Sequence, residues 1–388
     1  MKNIPEMRIV YSTESVNRNG GIHTVTIVKA NTLANFAGNE IYIIVPHFNG
    51  PTPRPISPKV QLIDLGIKDF WVSILKQPKR NKLYKKLLQE ALESIRPDIV
   101  VSTGQQDRNF LPRLKVSSNP VFIREIHFIS NYRRIMATSM KERLLALWSE
   151  FRDYRLSINN YDQIVIFTEE DRKKNWRGNG KVTCMPNPLT ITSNVRSNLS
   201  EKKAIAVGRL SYQKHFDALI KAWRIVADKY PDWELNIWGG NGPLFQDLSD
   251  LIIKLDLTQN VYLRGESPDI SSKMAESSVI ICTSLFEGMP LVLLEALSAG
   301  LPIVTFNYMY GAEEIVSEDE NGYIVEEDDL DTLAARIITI ISNEKQRKEM
   351  GEKALTAAQK FLPEVIASRW MDLFQALRQK KPGPLSKY

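Results

Sequence analysis

Two glutamates, Glu287 and Glu295, bracket an apolar run in the stretch SLFEGMPLVLLEALSAGLPIV, which spans Ser284–Val304. A buried carboxylate without a partner costs several kcal/mol, so each glutamate requires a hydrogen-bond donor or a cation. Ordinary structural partners satisfy this requirement: Glu287 suits a helix cap, and Glu295 suits an ion pair inside the domain. A ligand with hydroxyl donors satisfies it as well.

A buried helix is predicted between the two glutamates, from about Pro290 to Ala299. Pro290 suits the first turn of a helix and Gly300 the position after its last residue. The unpaired N–H groups at such a helix start, together with the helix dipole, favour an anion. The residues predicted to form this anion site are Gly288, Met289, Pro290 and Leu291, of which Pro290 has no N–H to donate.

Two cations, Arg209 and Lys214, follow the apolar run Ala204–Val207, with Gly208 between the run and Arg209. Ligands of open α/β sheets bind beyond the carboxyl ends of the strands, where these side chains are expected. Two cations at that edge suit an anionic ligand. Lys214 equally suits a solvent-facing position at a helix start.

Apolar runs alternate with segments of helical periodicity along the chain, which is typical of parallel sheets with crossover helices. The pattern begins with RIVYS at Arg8–Ser12, breaks near 186–200 and begins again with AIAVG at 204–208. We therefore expect two Rossmann-like, doubly wound α/β domains, covering 1–188 and 189–362.

The composition is globular, with 388 residues, 25% charged and 43% hydrophobic. No apolar segment reaches the roughly 20 residues of a membrane-spanning helix, and no signal segment is recognisable, so a cytoplasmic location is expected. Cys184 and Cys282 are expected to be free thiols, because two cysteines in such a chain suggest neither a disulfide framework nor a metal site.

Positive charge is concentrated in the first half, where residues 1–188 hold 29 Lys and Arg against 17 Asp and Glu. Segment 70–86 combines Phe70 and Trp71 with six cations. Such a segment suits an anionic membrane surface, and a solvated helix face is an equal alternative. Nucleic acid is not expected as a partner, since no nucleic-acid motif accompanies the charge.

The motifs, taken together, resemble one enzyme family. FEGMPLVLLEALSAGLPIV resembles the E-x7-E motif of the retaining GT-B glycosyltransferases of family 4, also called glycosyl transferases group 1. AVGRLSYQKHFDALIKAW resembles the G-R-L-x3-K segment of that family. Further motifs of the family match NGGIHT, LNIWGGNGP and NGYIV, which occur in the family's order along the chain. The resemblance implies a GT-B fold, in which two such domains face a central cleft and a last helix, within 363–388, returns to the first domain.

The resemblance also implies roles for the candidate residues. Arg209 and Lys214 would hold the donor phosphates, Glu287 would contact the transferred sugar, and Glu295 would bind the ribose hydroxyls. His127, directly after the run VFIREI, fits the first-domain histidine near the reacting sugar, although a satisfied structural histidine is a close alternative. The remaining donor and acceptor positions implied are Gly240, Arg264 and Gly265 for the donor, and Gly20 and Gly21 for the acceptor or a phosphate.

The implied activity is transfer of a hexose or N-acetylhexosamine, most simply from a UDP-sugar, to a glycan or lipid-linked glycan in surface polysaccharide biosynthesis. The first domain would bind the acceptor and the second the donor, at the inner face of the membrane. The alternatives are a non-catalytic protein that binds a glycan or a nucleotide sugar, and a sugar-nucleotide epimerase or a phosphorylase on the same fold. A nicotinamide dehydrogenase is not favoured, because no strand is followed by G-x-G-x-x-G.

No cofactor and no metal are expected. The triplet Asp329-Leu330-Asp331 matches a D-x-D metal motif, but it precedes an apolar-periodic helix and suits a cap. Two departures from the family pattern, Met289 and Ala312, leave sugar selectivity open.

Overall fold

The computed structural model describes residues 7–17, 20–68, 77–191, 195–240 and 242–381. The chain divides into two compact units, one of residues 1–188 and 363–388, the other of residues 189–362. Each unit is built on its own parallel sheet with its own apolar core. The predicted α/β class and the Rossmann-like pattern of both units are confirmed.

In the first unit, the described residues form a seven-stranded sheet in the order β3-β2-β1-β4-β5-β6-β7, with all neighbours parallel. The order reverses between β1 and β4, so the chain leaves a crevice beyond their carboxyl ends. The strands are β1 (Arg8–Ser12), β2 (Glu40–Val45), β3 (Val60–Asp64), β4 (Ile99–Ser102), β5 (Val121–Glu125), β6 (Gln163–Ile166) and β7 (Val182–Cys184).

The helices of the first unit cover this sheet. The last of them returns from the far end of the chain and packs against α1, burying Trp370 and Phe374 in the same core as Ile27. This helix groups with the first unit, where the sequence analysis expected it. The helices are α1 (Gly21–Leu33), α2 (Gln77–Ile95), α3 (Tyr132–Ile135), α4 (Met140–Asn160), α5 (Glu169–Asn175) and, at the end of the chain, α12 (Pro363–Lys380).

In the second unit, the described residues form a six-stranded parallel sheet in the order β10-β9-β8-β11-β12-β13. Its order reverses between β8 and β11, which places a second crevice beyond the carboxyl ends of those strands. The strands are β8 (Lys203–Val207), β9 (Glu234–Trp238), β10 (Val261–Gly265), β11 (Val279–Cys282), β12 (Ile303–Phe306) and β13 (Gly322–Val325).

The helices of the second unit bury apolar faces against its sheet. Trp223 of α6 is fully buried, and burial of a large apolar side chain is worth about 1.5–3 kcal/mol. The helix predicted between the two glutamates forms, and Gly300 after it adopts the left-handed φ of 73° expected of a helix end. The helices are α6 (Phe216–Lys229), α7 (Phe245–Lys254), α8 (Ile270–Ala275), α9 (Leu291–Ser298), α10 (Leu330–Ser342) and α11 (Glu344–Ala358).

Candidate active site

The strand-order reversal of the second unit brings Lys214 and Glu287 together. Lys214 ends a short 3-10 helix, Tyr212–Lys214, that follows β8, and Glu287 lies in the loop after β11. Lys214 Nζ donates to Glu287 Oε1 at 2.7 Å, with both side chains mostly buried. Two residues 73 positions apart in sequence thus form one ion pair at the edge where a ligand is expected.

Backbone hydrogen bonds fix the two loops that carry this pair. The Leu285 N–H donates to the Gln213 carbonyl at 2.9 Å, and the Gln213 side-chain amide donates to the Phe286 carbonyl at 2.9 Å. The Thr283 hydroxyl donates to the Lys214 carbonyl at 3.0 Å. The cation and the carboxylate are therefore held by the scaffold and not by their own contact alone.

The charge of Lys214 is protected by this arrangement. Burial lowers the pKa of Lys214, but the Glu287 carboxylate and Cys282 raise it, and the net shift of the Lys214 pKa is upward. The ammonium stem passes over Gly208, where a Cβ atom would lie 2.6 Å from Lys214 Cε. A side chain at position 208 would therefore displace Lys214, so glycine is required here for steric reasons.

Arg209 lies beside the pair with an exposed side chain. Within the part of the chain that the structure describes, its guanidinium makes no hydrogen bond or ion pair with another side chain. Its charge acts on Lys214, whose pKa it lowers, so the two cations share one region. A region with two cations and one carboxylate retains a net positive charge for an anionic ligand.

Glu295 lies on α9, the helix that follows the Glu287 loop. Its side chain is partly buried and accepts a hydrogen bond from the Thr190 hydroxyl. No described side chain caps the amino end of α9, where Pro290 occupies the cap position. Thr190 is a partner that the sequence pattern did not indicate, since it lies 105 residues away in the chain.

The glycine loop after β9 is shaped by close backbone packing. A Cβ at Gly239 would lie 1.8 Å from the Gly208 carbonyl oxygen, and one at Gly240 would lie 2.3 Å from a carboxylate oxygen of Glu266. Gly242 meets the Leu210 carbonyl in the same way, at 2.1 Å. These glycines allow the loop after β9 to lie directly on the loop that carries Arg209.

Arg264 and Gly265 end the edge strand β10. The Arg264 guanidinium donates to the Asn236 side-chain oxygen at 2.6 Å and stacks on the Tyr262 ring, with 4.2 Å to the centroid. This side chain is therefore engaged along the sheet edge. Gly265 adopts a φ of 75°, which a glycine accommodates without strain.

In the first unit, His127 lies two residues beyond β5 and is buried. Its Nε2 atom is 3.4 Å from Glu125 Oε1, and its ring meets Phe167 edge-on with centroids 5.5 Å apart. Burial lowers the pKa of His127 to about 4, against the opposing effect of Glu125. The imidazole is therefore neutral near pH 7, suited to a hydrogen bond and not to a fixed positive charge.

Glu125 is held in turn by Lys29 of α1, and this ion pair is fully enclosed in the first unit. Burial opposes ionisation of Glu125, but the Lys29 cation and His127 keep the Glu125 pKa below its ordinary value. The Lys29 ammonium also lies 4.8 Å from the centroid of the Trp370 ring. His127 thus belongs to an extended buried polar cluster.

Asp107 is a buried polar group that the sequence analysis missed. It lies near the carboxyl end of β4 and accepts hydrogen bonds from the hydroxyls of Ser12, at 2.5 Å, and Ser102, at 2.8 Å. Burial raises the pKa of Asp107 to about 6. An isolated aspartate between two polar residues carries no sequence signal of such an environment.

Gly20 and Gly21 introduce α1. Gly20 has an extended φ of 170° and Gly21 is the first helical residue, so neither needs the left-handed region. A Cβ at Gly20 would make only ordinary contact with His23, at 3.6 Å. Their role toward an acceptor or phosphate stays a prediction.

The D-x-D triplet serves as a helix cap, as expected. The Asp329 carboxylate accepts from the Thr332 N–H at 3.0 Å at the start of α10. Among the described residues, no group of three or more His, Cys, Asp or Glu side chains is arranged to hold a metal ion.

No helix of the described residues is both long and apolar enough to span a bilayer. Cys184 and Cys282 form no disulfide, and Cys184 is only partly buried.

The basic segment 70–86 is described only in part. Phe70, Trp71 and Lys76 lie outside the described residues, whereas Lys82 and Lys85 are exposed on α2. The predicted membrane contact of this segment stays a prediction.

Comparison with known proteins agrees with the family that the sequence motifs predicted. Residues 190–356 match the model of the family described as glycosyl transferases group 1. An uncharacterized glycosyltransferase of Haemophilus influenzae is 27% identical over 94% of this chain and 98% of its own length. The amylovoran biosynthesis glycosyltransferase AmsD of Erwinia amylovora is 24% identical over 94% of this chain and 99% of its own length.

A solved structure shares the fold. The crystal structure of an S. aureus TarM mutant in complex with Fondaparinux, alpha-GlcNAc-glycerol and UDP superposes with a TM-score of 0.73 at 14% identity, covering 95% of this chain and 99% of that one. The GT-B fold class and the recognition of glycosyl transferases group 1 are confirmed.

Proposed function

Because residues 190–356 match the model of the glycosyl transferases group 1 family, we propose that this chain is a retaining glycosyltransferase that uses a nucleotide-diphosphate sugar. The donor is a UDP-linked hexose or N-acetylhexosamine, and the acceptor is a glycan or a lipid-linked glycan of a surface polysaccharide. UDP in the TarM structure supports the choice of nucleotide, and the amylovoran biosynthesis relative supports a polymeric glycan as product.

The observation that carries the proposal is the fixed Lys214–Glu287 pair with Arg209 beside it, beyond β8 and β11. When the bond between the sugar C1 and the diphosphate oxygen breaks, negative charge builds on the diphosphate. Lys214, Arg209 and the amino end of α9 neutralise that charge, and such preorganised donors are worth about 10²–10³ in rate each. The scaffold already holds the backbone of Lys214 at this edge, because its carbonyl accepts a hydrogen bond from the Thr283 hydroxyl.

In the proposed reaction the acceptor hydroxyl attacks C1 on the face that the diphosphate leaves. The hydroxyl oxygen forms the new bond to C1, and its proton passes to the departing diphosphate oxygen, so the anomeric configuration is kept. Glu287 orients the sugar, Glu295 binds the ribose hydroxyls, and no metal takes part. The first unit binds the acceptor, and His127 is its candidate catalytic residue.

A panel of nucleotide sugars tests the proposal. The chain is incubated with each donor and with glycan acceptors, and the products are identified by mass spectrometry and by NMR of the anomeric proton. Transfer with retention supports the proposal. Isomerised donor would indicate an epimerase, sugar phosphate would indicate a phosphorylase, and binding without turnover would indicate a non-catalytic binding protein.

Glu295→Ala tests the ribose assignment in the same assay. Loss of a carboxylate that accepts two hydroxyl donors should weaken donor binding, and unchanged titration curves would refute the role. Glu318→Ala is a matched control, because Glu318 is a partly exposed carboxylate in the same unit with its own ion pair to Arg336.

A further inference from the structure

Helix α4 presents its apolar side to solvent, the reverse of an ordinary surface helix. Of its 21 residues, Ala146 and Ser157 are the buried ones. Leu144 and Trp148 are each 61% exposed, and Phe151 is 58% exposed. Such exposure of large apolar side chains on one helix marks an interaction surface. The exposed apolar residues of α4 are Met140, Leu144, Leu145, Leu147, Trp148 and Phe151.

These side chains form a stripe. Met140, Leu144, Leu147, Trp148 and Phe151 follow the spacing i, i+4, i+7, i+8 and i+11, which places them on one face of the helix. At about 1.5 Å per residue the stripe is about 17 Å long, enough to lie in a surface and too short to cross a bilayer. We call these five residues the α4 stripe.

The acidic residues of α4 point away from the stripe and are already paired. Glu150 contacts Arg134 at 3.3 Å, and Asp153 contacts Arg108 at 3.0 Å. Glu142 belongs to the capping box at the amino end of the helix, with Ser139 as its partner. The face that packs on the first unit is therefore the charged face of this helix.

The cations beside the stripe have no acidic partner among the described residues. Arg152 lies over the Trp148 ring, with 4.8 Å to its centroid, and Arg155 lies over the Phe151 ring at 5.7 Å. Lys141 and Arg143 are exposed and in no ion pair with the residues that the structure describes. The face thus combines apolar and aromatic side chains with four unpaired positive charges.

We propose that the α4 stripe and its flanking cations are a docking surface for an anionic lipid bilayer. The cations attract the lipid phosphates, the arginine-stacked aromatic rings lie at headgroup level, and the leucines enter the acyl boundary. A second copy of the chain fits this face less well, because a twofold interface would bring the same four positive charges against themselves. This surface is separate from segment 70–86 and does not rest on the proposed function.

Vesicle cosedimentation with the full chain tests the proposal. The protein should bind anionic vesicles of phosphatidylcholine mixed with phosphatidylglycerol. The variant Leu144→Gln/Trp148→Gln/Phe151→Gln should bind more weakly by about tenfold for each side chain removed from the apolar phase. Ile253→Gln, a substitution of a 66% exposed apolar residue of the second unit, is the matched control and should bind as the wild type.

Charge and location are tested separately. Arg152→Gln/Arg155→Gln should weaken binding to anionic vesicles by about fivefold for each charge, whereas Lys345→Gln/Lys348→Gln on α11 of the second unit should not. Brominated lipids should quench Trp148 fluorescence, which is seen as the difference between the wild type and Trp148→Phe.

Three results would overturn the proposal. The wild type does not bind anionic vesicles, or the triple variant binds them as the wild type does. The third result is a wild-type dimer and a monomeric triple variant in light scattering, which would mean that a second copy of the chain covers the α4 stripe. Transfer to a water-soluble acceptor should be equal in the wild type and the triple variant, so this test can fail without the proposed function failing.

Discussion

Lys214→Ala and Glu287→Gln should change UDP affinity in opposite directions, although they remove the two halves of one ion pair. In the structure, Lys214 Nζ is 2.7 Å from Glu287 Oε1, so UDP must compete with that carboxylate for the ammonium. UDP has no sugar, so it cannot gain from any contact between Glu287 and a sugar. The UDP titration therefore isolates the contribution of the cation.

The magnitudes follow from the geometry. A unit charge about 4 Å from a phosphate oxygen contributes about 4 kcal/mol at an effective dielectric constant of about 20. Part of this is offset in the wild type, because Lys214 must leave Glu287. We therefore expect Lys214→Ala to weaken UDP binding by about 30-fold to 100-fold. Glu287→Gln removes the competitor and should strengthen UDP binding by up to about tenfold, while slowing sugar transfer by about 10²-fold.

Isothermal titration calorimetry with UDP, in buffer that contains a chelator, measures these affinities. Lys221→Ala is the matched control, because the Lys221 ammonium also donates to a carboxylate, Asp217, at 2.8 Å but on an exposed helix face. Its UDP affinity should equal that of the wild type. The reasoning fails if Lys214→Ala binds UDP as well as the wild type does, or if Glu287→Gln loses affinity to the same extent as Lys214→Ala.

Three further outcomes are expected. Lys29→Met leaves Glu125 buried without its cation and should lower the free energy of unfolding, measured by urea titration, by about 3–5 kcal/mol. The double variant Lys29→Met/Glu125→Leu should recover most of the lost stability. A Lys29→Met variant as stable as the wild type would contradict this. Gly239→Ala should lower the free energy of unfolding by about 1–3 kcal/mol, because its Cβ would lie 1.8 Å from a backbone oxygen. Gly180→Ala is the control and should leave stability unchanged, because a Cβ there would meet open space. Equal melting curves for the two variants would contradict the packing argument. The pKa of His127 is about 4, below the value of about 6.5 in the unfolded chain, so His127 contributes stability above about pH 6.5 that is lost as the pH falls toward 4. The NMR shift of its imidazole should therefore stay that of the neutral ring from about pH 8 to about pH 5. A titration midpoint near pH 6.5 would contradict this.

Sequence pattern predicted the strands that are long apolar runs, because burial on both faces leaves an unmistakable composition. No such run marks β3 (Val60–Asp64) or β7 (Val182–Cys184), which lie at the two edges of the first sheet. Edge strands alternate or are short, so their apolar content resembles that of a loop. Helix ends with proline or glycine signals, such as those around α9, were predicted to within about a residue.

The candidate site was predictable only residue by residue. Motifs singled out Lys214 and Glu287 one at a time, but their mutual ion pair depends on strand order, which periodicity does not encode. Thr190 beside Glu295 is a long-range contact of the same kind. The outward apolar face of α4 was equally hidden, because an amphipathic pattern does not tell which side of a helix faces the core.

The central claim is that protein cations of the second unit, without a metal, neutralise the diphosphate as the sugar leaves. The rate of UDP release from the donor in the presence of acceptor and excess EDTA tests it most directly, for the wild type and for Arg209→Ala/Lys214→Ala. We predict that EDTA leaves the wild-type rate unchanged and that the double variant is slower by at least about 10²-fold. A wild-type rate that disappears in EDTA and returns with added manganese, or a double variant as fast as the wild type, would contradict the account.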